Sequence, residues 1–337
     1  GLGAVARSAI LQGLLWGVKL GWEFTPAYFG LGSGLEKRIG DRRRGQKPTL
    51  LLLHGFLGSK ADWRGKFSDL ATADGHDILS IDLPGHGESE SNSMAADFRE
   101  EVEWGLGGVD AAADAVGEVC DAAGLGPYLV VGYSLGGRVA LSFAQRRMDL
   151  LQGGGLVLVS ANPGLTSTSE RLSRWASDMS LATEISALSS TRLSSTRLSS
   201  ASAAVTTGID GAATKLVKAS AQDSPISLAK PSISCVTSVG SNDNCNSSQE
   251  MDRSYRSEAH AFLERWYSAG IWGGLAQHRP QEFEAMIRRR LDLGLLRAGG
   301  MGAHYLSASL LATSVARQPD YWPLLRGLGR GGNVRGM

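Results

Sequence analysis

The residues that most constrain this chain are Gly132-Tyr133-Ser134-Leu135-Gly136. They follow the short apolar run Tyr128–Val131 and open a helical pattern carrying Val139, Ala140 and Phe143. A strand that meets a helix through Gly-x-Ser-x-Gly must turn sharply, and glycine on each side lets the backbone double back without a side-chain clash. Such a turn lifts the serine hydroxyl above the end of the strand and lets backbone amides approach a reacting oxygen. A phosphate-binding turn is the rival for a Gly-rich junction of this kind, but no Lys-Ser or Lys-Thr pair follows here.

Three more short runs, Thr49–Leu53, Ile78–Ile81 and Leu156–Val159, share the same character. Apolar runs without clear alternation suit strands buried on both faces of a parallel sheet. Helix-compatible stretches lie between them, such as Val109–Ala123 with Val116 and Val119 on one side. Strand, turn and helix repeated in this way predict an α/β fold with a mostly parallel sheet. Two runs end in distinctive turns: His54-Gly55-Phe56-Leu57-Gly58 after the first, and Asp82-Leu83-Pro84-Gly85-His86-Gly87-Glu88-Ser89 after the second. In α/β hydrolases the His-Gly turn supplies one oxyanion-hole amide and the residue after the serine the other, here Phe56 and Leu135. His54 is expected to brace its turn, and the Pro-Gly turn after Asp82 to shape the site rather than react in it.

Organisation follows from composition shifts. Residues 1–45 mix charge with apolar residues, end in Asp41-Arg42-Arg43-Arg44, and are expected to form an N-terminal extension. Residues 46–162 would be the α/β core, 163–325 a helical cap, and 326–337 a tail. Within the cap, Ala259, Phe262, Leu263, Trp266 and Tyr267 share one helical face, and so do Phe283, Met286, Ile287 and Leu291. The stretch from about 186 to 252 is rich in Ser, Thr and Ala and repeats Ser-Ser-Thr-Arg-Leu, so it reads as a disordered insertion. A net charge of +1 leaves no basic footprint for nucleic acid. The apolar run Ala9–Leu20 is interrupted by Gln12, Gly13, Gly17 and Lys19 and falls short of the ~20 residues that span a bilayer. Cys120, Cys235 and Cys245 are too few and too scattered for a disulfide framework or a metal site. No dinucleotide fingerprint is visible either, so no cofactor and no metal are expected.

The loops Leu-His-Gly-Phe-Leu-Gly-Ser-Lys-Ala-Asp-Trp (53–63), Asp-Leu-Pro-Gly-His-Gly (82–87) and Gly-Tyr-Ser-Leu-Gly-Gly-Arg (132–138) recur in order in one α/β-hydrolase family. Ser-Ala-Asn-Pro-Gly-Leu (160–165), Glu-Arg-Trp-Tyr (264–267) and Arg-Gln-Pro (317–319) recur with them. Together they resemble the 2-succinyl-6-hydroxy-2,4-cyclohexadiene-1-carboxylate synthases of menaquinone and phylloquinone biosynthesis, over about residues 49–184 and 257–325. The early motifs are shared with many α/β hydrolases; Tyr133 before the serine and Arg138 four after it, with the cap motifs, narrow the choice. The resemblance implies a carbon–oxygen lyase. A base abstracts a proton beside a carbonyl of a small multi-carboxylate substrate, the oxyanion hole holds the enolate, and pyruvate leaves. Ser134, coupled to a His and an Asp, would be that base. In plants and algae the resemblance further implies a plastid location and fusion to neighbouring pathway enzymes; otherwise an intracellular protein is expected.

A multi-carboxylate substrate calls for arginine, whose planar fork pairs carboxylates bidentately. Arg138 lies one helical turn beyond Ser134. Arg290 shares a face with Phe283, Met286 and Ile287, where it would meet a substrate carboxylate, pair with a local acid or snorkel from the core, while Arg288 and Arg289 point away. In the helix after Pro163, periodicity selects Arg171 beside Leu172 and Trp175, whereas the resemblance selects Arg174, which we follow. Trp266 would line the substrate pocket by resemblance or pack in the cap by spacing. Tyr133 would orient substrate or form a wall of the turn. The family's acid and histidine follow two further strands, and no such strands are legible here; His278, His304 and Asp320 end no strand. The expectation is a chain truncated at its C-terminus. Two alternatives remain, a generic esterase or carbon–carbon hydrolase on the same fold, and a noncatalytic remnant of it.

Overall fold

Consecutive leucines of the central strand β3 (Thr49–Leu53) serve two different cores. Side chains alternate across a strand, so Leu51 and Leu53 join one buried cluster while Leu50 and Leu52 join another. The neighbouring strand β4 (Ile78–Ile81) divides in the same way, Leu79 and Ile81 to the first cluster and Ile78 to the second. With both faces covered there is no polar face to alternate with, which is why these runs read as unbroken apolar stretches. A computed structural model describes residues 7–12, 19–27, 47–89, 108–152, 154–189, 245–269, 272–293 and 302–330. It adds β5 (Tyr128–Tyr133) and β6 (Gly155–Val159), and β3 pairs in parallel with both β4 and β5, as β5 does with β6.

The sheet has two strands that the sequence reading placed in an extension. β1 (Arg7–Gln12) and β2 (Lys19–Thr25) pair antiparallel, and β2 pairs antiparallel with β4, setting Trp22 against Ile81 and Phe24 against Leu79. The order is β1-β2-β4-β3-β5-β6. The extension over 1–45 is therefore corrected: its middle is part of the sheet. Leu20 and Trp22 pack on the main core, while Glu23 points to the other face and is buried in an ion pair with Arg64. Leu20, Trp22 and Phe24 recur at period two, the trace of a half-buried strand that the surrounding charge obscured.

Helices α2 (Gly108–Ala123) and α3 (Leu135–Arg146) pack on one face of the sheet through Val109, Val116, Val119, Val139 and Phe143. On the other face lie Trp63 and Ala71, the latter from α1 (Lys66–Ala73). The cap consists of α4 (Thr168–Ser189), α5 (Cys245–Ser268), α6 (Leu275–His278), α7 (Pro280–Asp292) and α8 (Gly302–Ala312). Its own core gathers Ile185, Phe262, Leu263, Phe283, Ile287 and Leu306, with Trp266, Met286 and Leu291 packed against it. Leu57, from the turn after β3, is buried in that same cap core, so the turn joins the two layers.

Two boundaries shift. Helix α4 runs to Ser189 and α5 starts at Cys245, so both margins of the expected insertion are helical; residues 190–244 lie outside the described residues. The expected tail begins inside a helix, α9 (Trp322–Arg330), whose Leu324, Leu325 and Leu328 pack on the main core beside buried Tyr321. Its apolar residues at i, i+1 and i+4 cover the sheet layer, and residues 331–337 lie outside the described set. No described helix is long and apolar enough to cross a membrane.

Candidate active site

Ser134 stands at the junction of β5 and α3 with φ +50° and ψ −109°, a conformation that costs a non-glycine residue of order 1–3 kcal/mol. Its glycines are required by contact. A Cβ on Gly132 would come within 2.5 Å of the Gly136 carbonyl oxygen, one on Gly137 within 2.5 Å of the Ala161 methyl, and one on Gly136 would collide with the Leu53 carbonyl. The Ser134 amide donates to the Val159 carbonyl at 2.8 Å, which pins the turn to the end of β6. Ser134 makes no side-chain capping bond to α3, and among the described residues no side-chain acceptor reaches the Leu135 amide. A helix N-terminus so left favours negative charge.

The turn after β3 lies directly against this junction. A Cβ on Gly55 would sit 2.7 Å from the Tyr133 ring and 3.4 Å from the Ser134 side chain. Within the turn the Gly58 amide donates to the Gly55 carbonyl at 2.9 Å, and the Leu57 amide to His86 Nε2 at 3.3 Å. The Phe56 amide between them has no partner among the described residues. The two amides expected to form an oxyanion hole, on Phe56 and Leu135, thus belong to turns in mutual contact.

His54 is held from both ring nitrogens. Nε2 accepts from the Leu83 amide at 2.9 Å, which leaves Nδ1 as the donor to the Gly55 carbonyl at 2.8 Å. Burial pushes its pKa down. His86 is driven down to about 3, by burial first and by His54 second. Both are neutral braces, and beside them Asp82 accepts from the Lys60 amide and ammonium, each at 2.6 Å, and from the Glu88 amide at 2.9 Å. Among the described residues no histidine or carboxylate is hydrogen-bonded to Ser134 Oγ.

The expected substrate residues fall into two groups. Around the Gly55–Gly58 turn, Arg290 donates to Asp62 at 2.6 Å and to the Tyr267 hydroxyl at 3.2 Å. Of the two partners left open for Arg290, the structure supplies the local acid. Arg288 and Arg289 are exposed, as the helical phase requires. Tyr133 is half-buried in this neighbourhood, its phenol pKa raised by burial and then by Tyr267. Trp266 meets Phe56 edge to face at 5.8 Å and Trp272 at 6.5 Å, so it packs in the cap and also borders the turn. Among the described residues the buried indole N–H groups of Trp266 and Trp272 have no hydrogen-bond partner, which invites a polar ligand atom.

The second group lies one turn along α3. Arg138 is buried, and its Nη1 donates to the Thr313 carbonyl and, at 3.3 Å, to Gln318 Oε1. Burial, and after it Arg174, lowers its pKa to about 10, still cationic at neutral pH. Arg174 pairs with buried Asp178 at 2.9 Å, whereas Arg171 is spent on the carbonyls of Leu165, Ala316 and Gln318 at 2.7, 3.1 and 3.4 Å. The spacing that selected Arg171 had found a structural tie. Asp62 and Gln318 lay inside motifs quoted for the resemblance but were given no role, and Asp178 was not singled out; Asp62 also left a local sign, the Ser59–Asp62 capping box. His278 and His304 lie in α6 and α8, and Asp320 accepts from the Trp322 amide at 2.9 Å as the cap of α9. On the cap, His260 Nδ1 lies 3.5 Å from Glu264 and Nε2 3.9 Å from Glu284, one acid to each ring nitrogen. These three groups, within 4.8 Å of one another, could each lend a ligand atom to a metal ion.

The α/β hydrolase fold matches residues 48–227, more than half of the chain. The chain belongs to the α/β-hydrolase fold family. Among its relatives is the 2-succinyl-6-hydroxy-2,4-cyclohexadiene-1-carboxylate synthase of Klebsiella pneumoniae subsp. pneumoniae, 33% identical over 135 residues, 40% of this chain and 47% of that protein. Protein PHYLLO, chloroplastic, of Arabidopsis thaliana is 31% identical over 144 residues, 43% of this chain and 8% of that much longer protein. Among solved structures, MenH from S. aureus superimposes with a TM-score of 0.50 at 18% identity, covering 91% of this chain and 75% of its own. This α/β-hydrolase chain thus spans about half the length, or less, of the curated relatives it matches.

Proposed function

We propose that this α/β-hydrolase acts as a carbon–oxygen lyase in menaquinone or phylloquinone biosynthesis, eliminating pyruvate from a multi-carboxylate cyclohexene to give 2-succinyl-6-hydroxy-2,4-cyclohexadiene-1-carboxylate. The observation that carries this reading is Arg138: a buried guanidinium one helical turn from Ser134, held among the described residues only by neutral oxygens. A buried charge without an ionic partner is costly, and a substrate carboxylate would supply the partner. The names of the relatives point the same way.

In the reaction a proton leaves the carbon beside a carbonyl, the electron pair forms the new ring double bond, and the bond from the ring carbon to the enolpyruvyl oxygen breaks; the departing enolate takes up a proton to become pyruvate. Ser134 stands as the base relay, and the Phe56 and Leu135 amides hold the oxygen on which charge develops. Arg138, Arg174 and Arg290 are assigned to the carboxylates, with Arg174 and Arg290 exchanging Asp178 and Asp62 for substrate. Tyr133 and Trp266 flank the turn and orient the ring.

The rival is ester hydrolysis, favoured by the strained serine itself, whose geometry serves acyl transfer equally well. Pyruvate release and hydrolysis of a neutral p-nitrophenyl ester should be measured side by side in wild type, Arg138→Ala and Arg290→Ala. A charge-assisted contact is worth about 1.5–3 kcal/mol, so each variant should lose about tenfold or more toward the anionic substrate and little toward the ester. Brisk ester turnover with both arginine variants silent would sink the lyase reading.

A further inference from the structure

The loop that follows α8 grips Arg138 without neutralising it. Gln318 is 3% exposed and used on every side. Its Oε1 accepts from Arg138 Nη1 at 3.3 Å, its Nε2 donates to the Asn162 carbonyl at 2.8 Å, and its own carbonyl accepts from Arg171 Nη2 at 3.4 Å. The Asn162 side chain accepts from the Gly164 amide at 2.9 Å, so the loop after β6 holds the glutamine amide in one orientation. The acid whose charge reaches Arg138 is Asp178, and it is already occupied by Arg174 at 2.9 Å and the Ser314 hydroxyl at 2.6 Å. Among the described residues no carboxylate lies within 4.0 Å of Arg138, and only its Nη1 has a hydrogen-bond partner.

An amide oxygen beside a guanidinium fixes its direction but leaves the charge whole; a carboxylate would fix it and cancel the charge. We propose that Gln318 is a specificity-determining residue that keeps buried Arg138 uncompensated, so that its charge is available to a carboxylate of the ligand. This rests on reading Arg138 as a substrate contact. It goes further in assigning the anion preference of that contact to a neutral residue 180 positions away.

The test is calorimetric titration of succinate, a small dicarboxylate, into wild type, Gln318→Glu, Gln318→Met and Arg138→Met, with melting temperatures as a check on folding. Gln318→Glu should weaken succinate binding about tenfold or more, because the introduced carboxylate takes over the guanidinium. Gln318→Met, which removes both side-chain hydrogen bonds but adds no charge, should weaken it less than about threefold. A merely structural glutamine gives the reverse order, since glutamate keeps an acceptor for Arg138 and methionine keeps none; that order overturns the proposal. Should Gln318→Glu fail to fold, Gln318→Asp takes its place: a loss of about tenfold or more against Gln318→Met upholds the charge role, and binding like wild type overturns it. If Gln318→Glu binds like wild type while Arg138→Met has lost affinity, the proposal fails and the reading of Arg138 stands. If Arg138→Met also binds like wild type, or wild type shows no saturable binding, that reading falls and the proposal with it.

Discussion

Arg290, on cap helix α7, donates to Asp62, on the loop after the central strand, at 2.6 Å across 228 positions of chain. The pair is largely shielded, at 12% and 22% side-chain exposure, and Tyr267 closes it from the cap side. Asp62 also accepts from the Ser59 amide, so one carboxylate both caps a local helical turn and ties the cap to the body.

Breaking that tie should loosen the cap. Asp62→Asn is expected to cost about 1–3 kcal/mol of unfolding free energy by leaving Arg290 partly buried and unpaired. Urea denaturation of Asp62→Asn, Arg290→Met and the double variant would give the coupling, expected above about 0.5 kcal/mol. Strict additivity would show that the pair contributes nothing.

Ser134 carries backbone strain. Ser134→Gly should raise stability by about 1 kcal/mol, because glycine adopts φ +50° freely, while abolishing labelling by a serine-directed fluorophosphonate. A variant no more stable than wild type in thermal unfolding would contradict the strained turn.

The glycines separate steric need from conformational need. Gly136→Ala places a methyl into the backbone of Leu53 and His54, and should cost upwards of about 3 kcal/mol or prevent folding. Gly65→Ala has open space and only its backbone conformation, φ +81° and ψ −137°, to overcome, so it should cost about 1–3 kcal/mol. Equal losses of soluble protein for the two would remove the distinction.

His86 makes stability depend on pH. Its pKa falls from 6.5 to about 3 in the folded state, so the unfolded chain binds the proton more readily. Stability from this group is therefore complete above pH 6.5 and declines steadily as pH drops toward 3. By linkage the loss at pH 5 is about 2 kcal/mol, and buried His54 adds a loss of the same sign. Denaturant midpoints from pH 7 to pH 5 should fall in wild type and fall less steeply in His86→Gln; parallel slopes would exclude His86 as a source.

Much of this fold is written locally. The runs that became β3, β4, β5 and β6, the turns at His54 and Asp82, and the serine turn were all readable, because each depends on residues within a few positions of one another. The cap faces were readable for the same reason: Phe262, Leu263, Phe283 and Ile287 follow helical spacing and meet in one core. The first strands were missed although Leu20, Trp22 and Phe24 alternate, since a single alternating strand amid charge looks like loop until its partner β4 is known.

The sequence by itself determined the α/β scaffold, the strained serine and the glycines beside it, because steric exclusion and burial act between chain neighbours. Only the tertiary structure decided what each arginine faces. Arg290 found Asp62, Arg171 found the carbonyls of Leu165, Ala316 and Gln318, and Arg138 found Thr313 and Gln318. A charged side chain of that length is defined by its partner, and most of these partners lie more than a hundred residues away, where no spacing rule reaches.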